Sequence, residues 1–318
     1  MNKPISLTEF ILDEEKRFPK AKGNFTLLLS QLEYAGKIIA SHLRKAGLVD
    51  ILGKTGEKNV YEEEVVKLDQ LSNDILLQTL TSSQQVHAVA SEELEDIHVV
   101  EKHNGEYLVF LDPLDGSSNV DVNLTIGTIF SIYHRSDSLL QPGNKQVASG
   151  YILYGTSVMF VYTSGKGVHG FTLDPSIGTF LLSHPDIRIP DEGDIYSLSE
   201  ANSIGFDGPM TSYLQSMKQG RKQLKARYSG TMVADMHRVL LKGGIFLYPS
   251  DPVHYPEGKL RLLFEVNPLS FLIQHAGGKA VCRRGNPLEI TPESLHQRSD
   301  IAIGSRKNVE EYESFLNG

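Results

Sequence analysis

Several things are scarce in this chain, and each scarcity excludes something. There is one cysteine, Cys282, among 318 residues. No internal disulfide can form, and a cysteine-rich zinc site is excluded. No run of about 18 apolar residues occurs, so no membrane-spanning helix is expected. The first segment, MNKPISLTEFILDEEKRF, carries acids inside its apolar stretch and lacks a signal-peptide core. Basic residues are outnumbered, 31 Lys and Arg against 39 Asp and Glu, for a formal net charge of -8. Nucleic-acid backbones select basic faces, so this balance argues against such a partner. It leaves room for a phosphorylated small molecule if a cation stands between acid and phosphate. The histidines form no HExxH-like pattern. There is no internal repeat, heptad array or low-complexity tract. What remains is 40% hydrophobic and 22% charged, ample for one large or two medium domains. A reducing, cytoplasmic setting suits it.

Residues 24–46 read as a helix. Leu28, Leu32, Ala35, Ile39 and Leu43 recur at three-to-four spacing, basic residues crowd the end, and Gly47 fits a stop. A second helix is expected over 60–80, with Glu62, Glu63 and Glu64 at the positive end of its dipole. VHAVA (86–90) and YLVFL (107–111) are short, valine-rich runs that read as buried strands. GTIFSIYHR, VASGYILYGTSVMFVYT and GVHGFTLDPSIGTFLLS extend a strand-rich middle punctuated by Gly and Asp-Pro turns. The polar stretch SHPDIRIPDEGDIYSLSE marks a domain boundary, giving expected domains 1–190 and 191–318. Beyond it helices and strands alternate again. In NPLSFLIQHAGG, Asn267 can cap a helix, Pro268 takes the tolerated first position, and Gly277-Gly278 can end it. Helices and sheets in two successive units imply a layered α/β (α+β) sandwich of two sheet-containing domains.

The chemistry concentrates in acidic clusters at strand ends. Glu92 and Glu93 follow VHAVAS, and Asp112 and Asp115 follow YLVFL. Glu265 ends KLRLLFE, uncomfortable between Phe264 and Val266 in a segment that reads as an apolar strand. Asp69 sits beside an apolar helix face. In open α/β sheets ligands bind at the carboxyl ends of strands, so these acids would converge. Gathered carboxylates repel and take up protons unless a hard cation such as Mg²⁺ is held among them. In DPLDGSS the proline fixes a turn that bends Asp112 and Asp115 together, and the Leu114 carbonyl can add a third oxygen. Gly116 lets the backbone approach a phosphate, and Ser117 and Ser118 offer donors. Asp after a strand is more often a turn former, and Glu92-Glu93 alone reads as a solvated pair. The complete DPLDGSS is much harder to assign to chance.

Cations and phenols stand further along. Arg227 and Tyr228 precede a glycine turn, and Tyr248 ends the strand of GIFLYP. Lys259 and Arg261 lie two apart, on one face if the segment is a strand, with Glu265 on that face too. A cation at one end and a metal-binding acid at the other suit a substrate with two phosphates.

DPLDGSSN together with SEE at 91–93, KLDxLSND at 67–74, ARYSGTMVADMHR, GGIFLYP and GKLRLLFEVNPLSFLIQHAGG closely resembles class I fructose-1,6-bisphosphatase. The resemblance runs from about residue 8 to the C-terminus. DPxDGS alone would point only to the wider group of Mg²⁺-dependent, Li⁺-sensitive sugar and inositol phosphatases. The resemblance implies an α-β-α-β-α sandwich, a homotetramer, and two or three Mg²⁺ per subunit, with Mn²⁺ or Zn²⁺ as alternatives. It assigns metal binding to Glu92, Asp112, the Leu114 carbonyl, Asp115 and Glu265, with Glu63 serving an additional metal. It gives Asp69 and Glu93 the orienting and deprotonation of water. It puts the reacting phosphate on Asp115, Gly116, Ser117 and Ser118. Tyr228, Tyr248 and Lys259 would hold the sugar and its 6-phosphate, and Arg227 would reach that phosphate from a neighbouring subunit. Ser199 stands where the family has an asparagine on the 6-phosphate, and Asn202 where a tyrosine is common. At the AMP site of the animal enzymes the phosphate-binding positions carry Lys22, Glu106 and His134. An anion at 106 repels phosphate, so AMP control in the animal form does not carry over. The paired regulatory cysteines of chloroplast relatives are absent.

The expected activity is direct hydrolysis of the 1-phosphate of fructose 1,6-bisphosphate by metal-activated water. Sedoheptulose-1,7-bisphosphatase activity, alone or alongside, is the alternative that Ser199 keeps open. A haloacid-dehalogenase mechanism needs D-x-D, and here the spacing is D-x-x-D. A Ca²⁺-binding module would have no use for Tyr248, Lys259 or Asp69.

Overall fold

The computed structural model describes residues 4–16, 23–46, 48, 54–58, 64–102, 104–219 and 224–316. Helices α1 (Leu7–Glu15) and α2 (Asn24–Leu43) come first. A capping box between Ser6 and Glu9 starts α1. The short pair β1 (Lys54–Lys58) and β2 (Glu64–Val66) leads into α3 (Lys67–Ser82). The second helix therefore starts later than its acidic run suggested. Glu64 pairs with Lys58 in a ladder, where Val65 and Val66 favour a strand, so it does not serve a helix dipole. Glu62, Glu63 and the stop expected at Gly47 lie outside the described residues.

Strands β3 (Val86–Ser91), β4 (His98–Val99), β5 (Tyr107–Asp115), β6 (Ile126–His134), β7 (Gln146–Tyr154), β8 (Val158–Thr163), β9 (Val168–Asp174) and β10 (Thr179–Ile187) form one sheet. Its order is β10-β9-β8-β7-β6-β5-β3-β4. All neighbours are antiparallel except β3 and β5. The second half supplies β11 (Ile195–Ser197), α4 (Gly208–Gln219), β12 (Lys225–Ala226), α5 (Met232–Lys242) and β13 (Ile245–Tyr248). Then come β14 (Leu260–Arg261), a single π-helical turn at Leu262–Val266, α6 (Asn267–His275), β15 (Lys279–Val281), β16 (Arg298–Ser299), β17 (Ile301–Gly304) and α7 (Arg306–Leu316). A second sheet runs β12-β11-β13-β17-β15, and β14 pairs with β16.

The strands alternate their side chains between faces, and this sorts the core into layers. On β7, Ala148 and Ile152 pack with Leu28, Leu32 and Leu76 of α2 and α3. Tyr151 of the same strand turns the other way, towards Val233 and Met236 of α5 and Leu269 and Leu272 of α6. On β13, Phe246 joins that middle layer, while Ile245 and Leu247 face Tyr213 and Tyr312 of α4 and α7. The order is helices, sheet, helices, sheet, helices: the expected α-β-α-β-α sandwich.

Two local expectations fail in the segment leading to α6. KLRLLFEV is a strand only at Leu260–Arg261, after which it coils into the π turn. Asn267 is not a cap. The π turn runs directly into α6, so Val266 takes the cap position in helical conformation and Asn267 is the first helical residue.

Candidate metal and phosphate centre

The centre is set by one pairing. Strands β3 and β5 run parallel with Ser91 opposite Leu111, so both end at the same edge. Glu92 follows at once, its N–H donating to the Leu111 carbonyl at 2.9 Å. Beyond Leu111 the ladder to β6 slips between Asp112 and Asp115. The slip is a β-bulge, and a proline is accepted there because no ladder donor is needed. Strand β5 thus runs through the whole DPLD, and a bulge within it, rather than a turn after it, brings the two carboxylates together. Thr128 Oγ1 donates to the Pro113 carbonyl at 2.8 Å, and Leu114 N–H donates to Asp112 Oδ1 at 3.0 Å.

Gly116 follows with φ +81°. A Cβ there would lie 2.5 Å from both Cβ and Cγ2 of Thr231, so glycine is required on two counts. Thr231 itself caps α5, accepting from Ala234 N–H at 3.1 Å. Helix α5 points its free amides at Asp115, with Val233 N–H at 2.6 Å and Met232 N–H at 3.4 Å. From the other side the π turn delivers Glu265, whose Oε2 accepts from Arg261 N–H at 2.7 Å. π turns of this kind often mark functional positions. The Arg261 guanidinium reaches back to Glu92 at 3.1 Å.

Asp112, Asp115 and Glu265 each offer an oxygen within 4.8 Å of the others, and all three are buried. Burial and mutual repulsion push all three up. Asp112 and Glu265 go well above the usual carboxylate range, by desolvation and then by Glu92. Asp115 rises to about 7 by desolvation, restrained by the α5 amides. Asp69 rises to about 8, from desolvation and then Glu93, with the Ser117 hydroxyl pulling the other way. Such a set either holds protons or holds a cation. Its donors are all hard oxygens, which fits a hard divalent ion and not a thiophilic one.

The acids open onto a cavity of about 530 Å³. Its lining includes Asp69, Glu92, Glu93, Asp112, Leu114, Asp115, Gly116, Ser117, Ser118 and Glu265, together with Tyr228, Tyr248 and Lys259. Gly258, φ +94°, sets Lys259 in place, since a Cβ there would sit 2.2 Å from the backbone of Ser299 and Asp300.

The sequence matches the fructose-1,6-bisphosphatase N-terminal domain model over residues 5–185 and the C-terminal domain model over 189–317. The chain belongs to the fructose-1,6-bisphosphatase family. A class 1 fructose-1,6-bisphosphatase of Persephonella marina is 50% identical, with 99% of each chain covered. The cytosolic enzyme of Arabidopsis thaliana is 48% identical over 96% of this chain and 93% of that one. The crystal structure of Leishmania major fructose-1,6-bisphosphatase in holo form superposes with a TM-score of 0.94 at 38% identity, covering 99% of both chains. Family membership brings dependence on a divalent metal, and the buried carboxylates supply a fitting donor set.

The remaining positions of the family pattern divide. Ser199 lies outside the acid-lined cavity, on an adjoining chamber that shares Tyr248 and Lys259 with it. Its hydroxyl stands close enough to Tyr228 to counter the rise that burial gives that phenol. Arg227 is exposed and lines neither chamber, its Nη1 donating to the Ala226 carbonyl at 2.7 Å. Glu63 and Lys22 lie outside the described residues. Glu106 accepts from Asn24 Nδ2 at 3.1 Å, and His134 stacks on Tyr107 at 5.3 Å. Both border a separate cavity of about 690 Å³ that also holds Glu14 and Glu15.

Sequence reasoning missed several residues of the centre. Arg298 lines the cavity and donates to the Lys259 carbonyl at 2.8 Å, because β14 and β16 pair Arg261 with Arg298. Nothing in the local sequence signals that pairing. Thr231 had a signal: a threonine opening an amphipathic run is a helix cap. Arg261, expected on one face with Lys259, does line the same cavity, with its guanidinium on Glu92 and His296 and its backbone N–H donating to Glu265.

Proposed function

We propose that this chain hydrolyses the 1-phosphate of D-fructose 1,6-bisphosphate, giving fructose 6-phosphate and phosphate, as a cytoplasmic enzyme of gluconeogenesis and sugar phosphate metabolism. One observation carries the reading: a buried three-carboxylate cluster and a lysine with two tyrosines line one cavity. The two ends of a sugar bisphosphate need these two chemistries.

Glu92, Asp112, the Leu114 carbonyl, Asp115 and Glu265 would hold two or three Mg²⁺ ions, with Glu63 serving an additional one and Mn²⁺ or Zn²⁺ as substitutes. When bound, these ions neutralise phosphate charge, acidify a water and stabilise the leaving alkoxide. The protein's own groups do the rest. Gly116, Ser117 and Ser118 orient the 1-phosphate where the β5 loop exposes amides and hydroxyls. Asp69, buried beside Glu93 and the Ser117 hydroxyl, takes the proton of the attacking water. The water oxygen forms the new bond to phosphorus, the bond from phosphorus to the sugar O1 breaks, and O1 takes a proton from solvent water, the proton held by Asp69 returning to solvent. No enzyme-bound phosphoryl group is formed.

At the far end Lys259 supplies a cation for the 6-phosphate. Tyr228 and Tyr248 stay protonated as donors, Tyr248 pushed up to about 12 by burial and by its neighbours Tyr228 and Glu265. The exposure of Arg227 suits a role across a subunit boundary in a homotetramer. The chain divides functionally into residues 1–190, bearing most of the metal and phosphate ligands, and 191–318, bearing the sugar-binding groups. Glu106 makes the cavity beside α1 and α2 hostile to a nucleotide phosphate, so AMP inhibition of the animal type is not expected.

Phosphate release from fructose 1,6-bisphosphate with Mg²⁺ tests the reading. Absence of release from the folded, metal-loaded protein would overturn it.

A further inference from the structure

Asp235, on α5, is fully buried and takes no part in the chemistry above. Burying a carboxylate is costly unless it is paired and hydrogen-bonded, and three donors meet this one. Oδ2 accepts from Ser197 Oγ at 2.8 Å and from Ser229 N–H at 3.0 Å. Oδ1 accepts from Arg238 Nη1 at 3.1 Å. Ser197 ends β11, Arg238 lies further along α5, and Ser229 belongs to neither a helix nor a strand. One buried charge therefore ties three separate stretches of chain together.

The stretch around Ser229 needs such a hold. Strand β12 ends at Ala226 and α5 starts at Met232. Between them Arg227 and Tyr228 are exposed, and Tyr228 lines the acid-lined cavity. The Arg227 N–H donates to the Tyr196 carbonyl at 2.8 Å, and its carbonyl accepts from Arg238 Nη1 at 3.4 Å. Ser229 is gripped from two sides. Its N–H goes to Asp235, and its carbonyl accepts from Asn119 Nδ2 at 3.0 Å. Asn119 ends the short helical turn Ser117–Asn119 that follows Gly116. The residue next to Tyr228 thus bridges α5 and the loop proposed to receive the 1-phosphate. The charge of Asp235 also reaches Tyr228, adding to burial in raising that phenol above its ordinary range.

We propose that Asp235 is a positioning residue for the sugar end of the substrate. Through Ser229 and Arg238 it holds the arm that carries Arg227 and Tyr228, and Asn119 keeps that arm in register with the phosphate loop. The inference rests on the bisphosphatase reading above, which gives Tyr228 its substrate contact. A carboxylate suits the task because it only accepts. An asparagine has the same shape but must turn its NH₂ towards at least one of the three donors. Asp235→Asn therefore loosens the arm with little change in packing volume.

The experiment measures kcat and KM on fructose 1,6-bisphosphate with Mg²⁺ for the unaltered protein, Asp235→Asn, Tyr228→Phe and the double variant. Asp235→Asn should raise KM about tenfold, the worth of one substrate hydrogen bond lost, with a smaller change in kcat. Because the two residues act through one contact, the KM of the double variant should stay well below the product of the two single increases. Ser197→Ala removes one hydroxyl from the same carboxylate and should raise KM a few-fold, again less so beside Tyr228→Phe. It carries the test if Asp235→Asn does not fold. An unchanged KM in the folded variants, or increases that multiply fully with that of Tyr228→Phe, overturns the positioning role and leaves the proposed function standing. Failure of the unaltered, metal-loaded protein to release phosphate overturns both.

Discussion

Mg²⁺ should stabilise this protein more at pH 8 than at pH 5, and the size of the difference follows from its buried carboxyls. Asp115 has an ordinary value of 3.8 and is pushed up to about 7 in the fold, while Asp69 is pushed up to about 8, burial being the larger cause for each. Below pH 4 or so both groups are neutral in the folded and unfolded chain alike. Between there and the folded values the unfolded chain has released its protons and the fold has not. The metal-free protein therefore loses about 1.4 kcal/mol per pH unit for each such group. For Asp115 the loss ends near pH 7 and totals about 4 kcal/mol, a large part of a usual folding margin. A cation among Asp112, Asp115 and Glu265 takes the place of those protons, so its apparent affinity should rise about tenfold per unit for each proton displaced. The assay is thermal unfolding of metal-free and Mg²⁺-loaded protein in parallel from pH 5 to pH 8. The metal-free Tm should fall by on the order of 5–10 °C. The rise on adding Mg²⁺ should grow across the same range, since a cation at a hundred times its Kd contributes about 2.7 kcal/mol. A flat metal-free Tm together with a pH-independent Mg²⁺ shift would refute the idea that these carboxyls exchange protons for a cation.

Other perturbations have separable signatures. Asp112→Ala should cut turnover by a factor of about 10²–10³ or more, while raising or preserving the metal-free Tm because one repelling carboxyl is gone; a folded variant with full phosphate release sinks the assignment. Gly116→Ala should cost about 2–4 kcal/mol, from a left-handed backbone and overlap with Thr231, read as a lower midpoint in urea; an unchanged midpoint would show that the loop yields freely. Lys259→Met should raise KM for fructose 1,6-bisphosphate about tenfold or more with a smaller change in kcat, as loss of a charged contact to the distal phosphate predicts. AMP added to the same assay should leave the rate near its uninhibited level; strong inhibition would show that Glu106 does not exclude the nucleotide phosphate.

Much of the centre was legible because its parts are local. Asp112, Asp115 and Gly116 fall within five residues, and a strand that stops in acids can be read from the run itself. The parallel pairing of β3 with β5 then converts two local signals, Glu92-Glu93 and DPLD, into one site. What escaped was set by contacts distant along the chain. Arg298 comes to the cavity through the short ladder with Arg261. Asp115 finds its amide donors on α5, 117 and 118 positions away. Apolar alternation in KLRLLFEV favours a strand, whereas the segment coils into a π turn continuous with α6, which buries Leu262 and Val266 in one cluster and Leu263 and Phe264 in another. The odd feature there, an acid between Phe264 and Val266, was the correct signal attached to the wrong secondary structure.

The same contacts explain how so repulsive a cluster survives in a folded chain. Each of its carboxylates is gripped by a backbone amide: Asp112 by Leu114, Asp115 by Met232 and Val233, Glu265 by Arg261. These bonds fix where the acids stand without cancelling their mutual repulsion, because an amide contributes a partial charge and Arg261, the cation that acts on Glu265, is already shared with Glu92. Hydrogen bonding therefore pre-positions the oxygens and leaves the charge deficit in place. A core repacked for stability would remove that deficit by substituting the acids. Retaining it costs stability in the metal-free chain, and the retained deficit is what draws a divalent cation, and through it a phosphate, to an otherwise acidic protein.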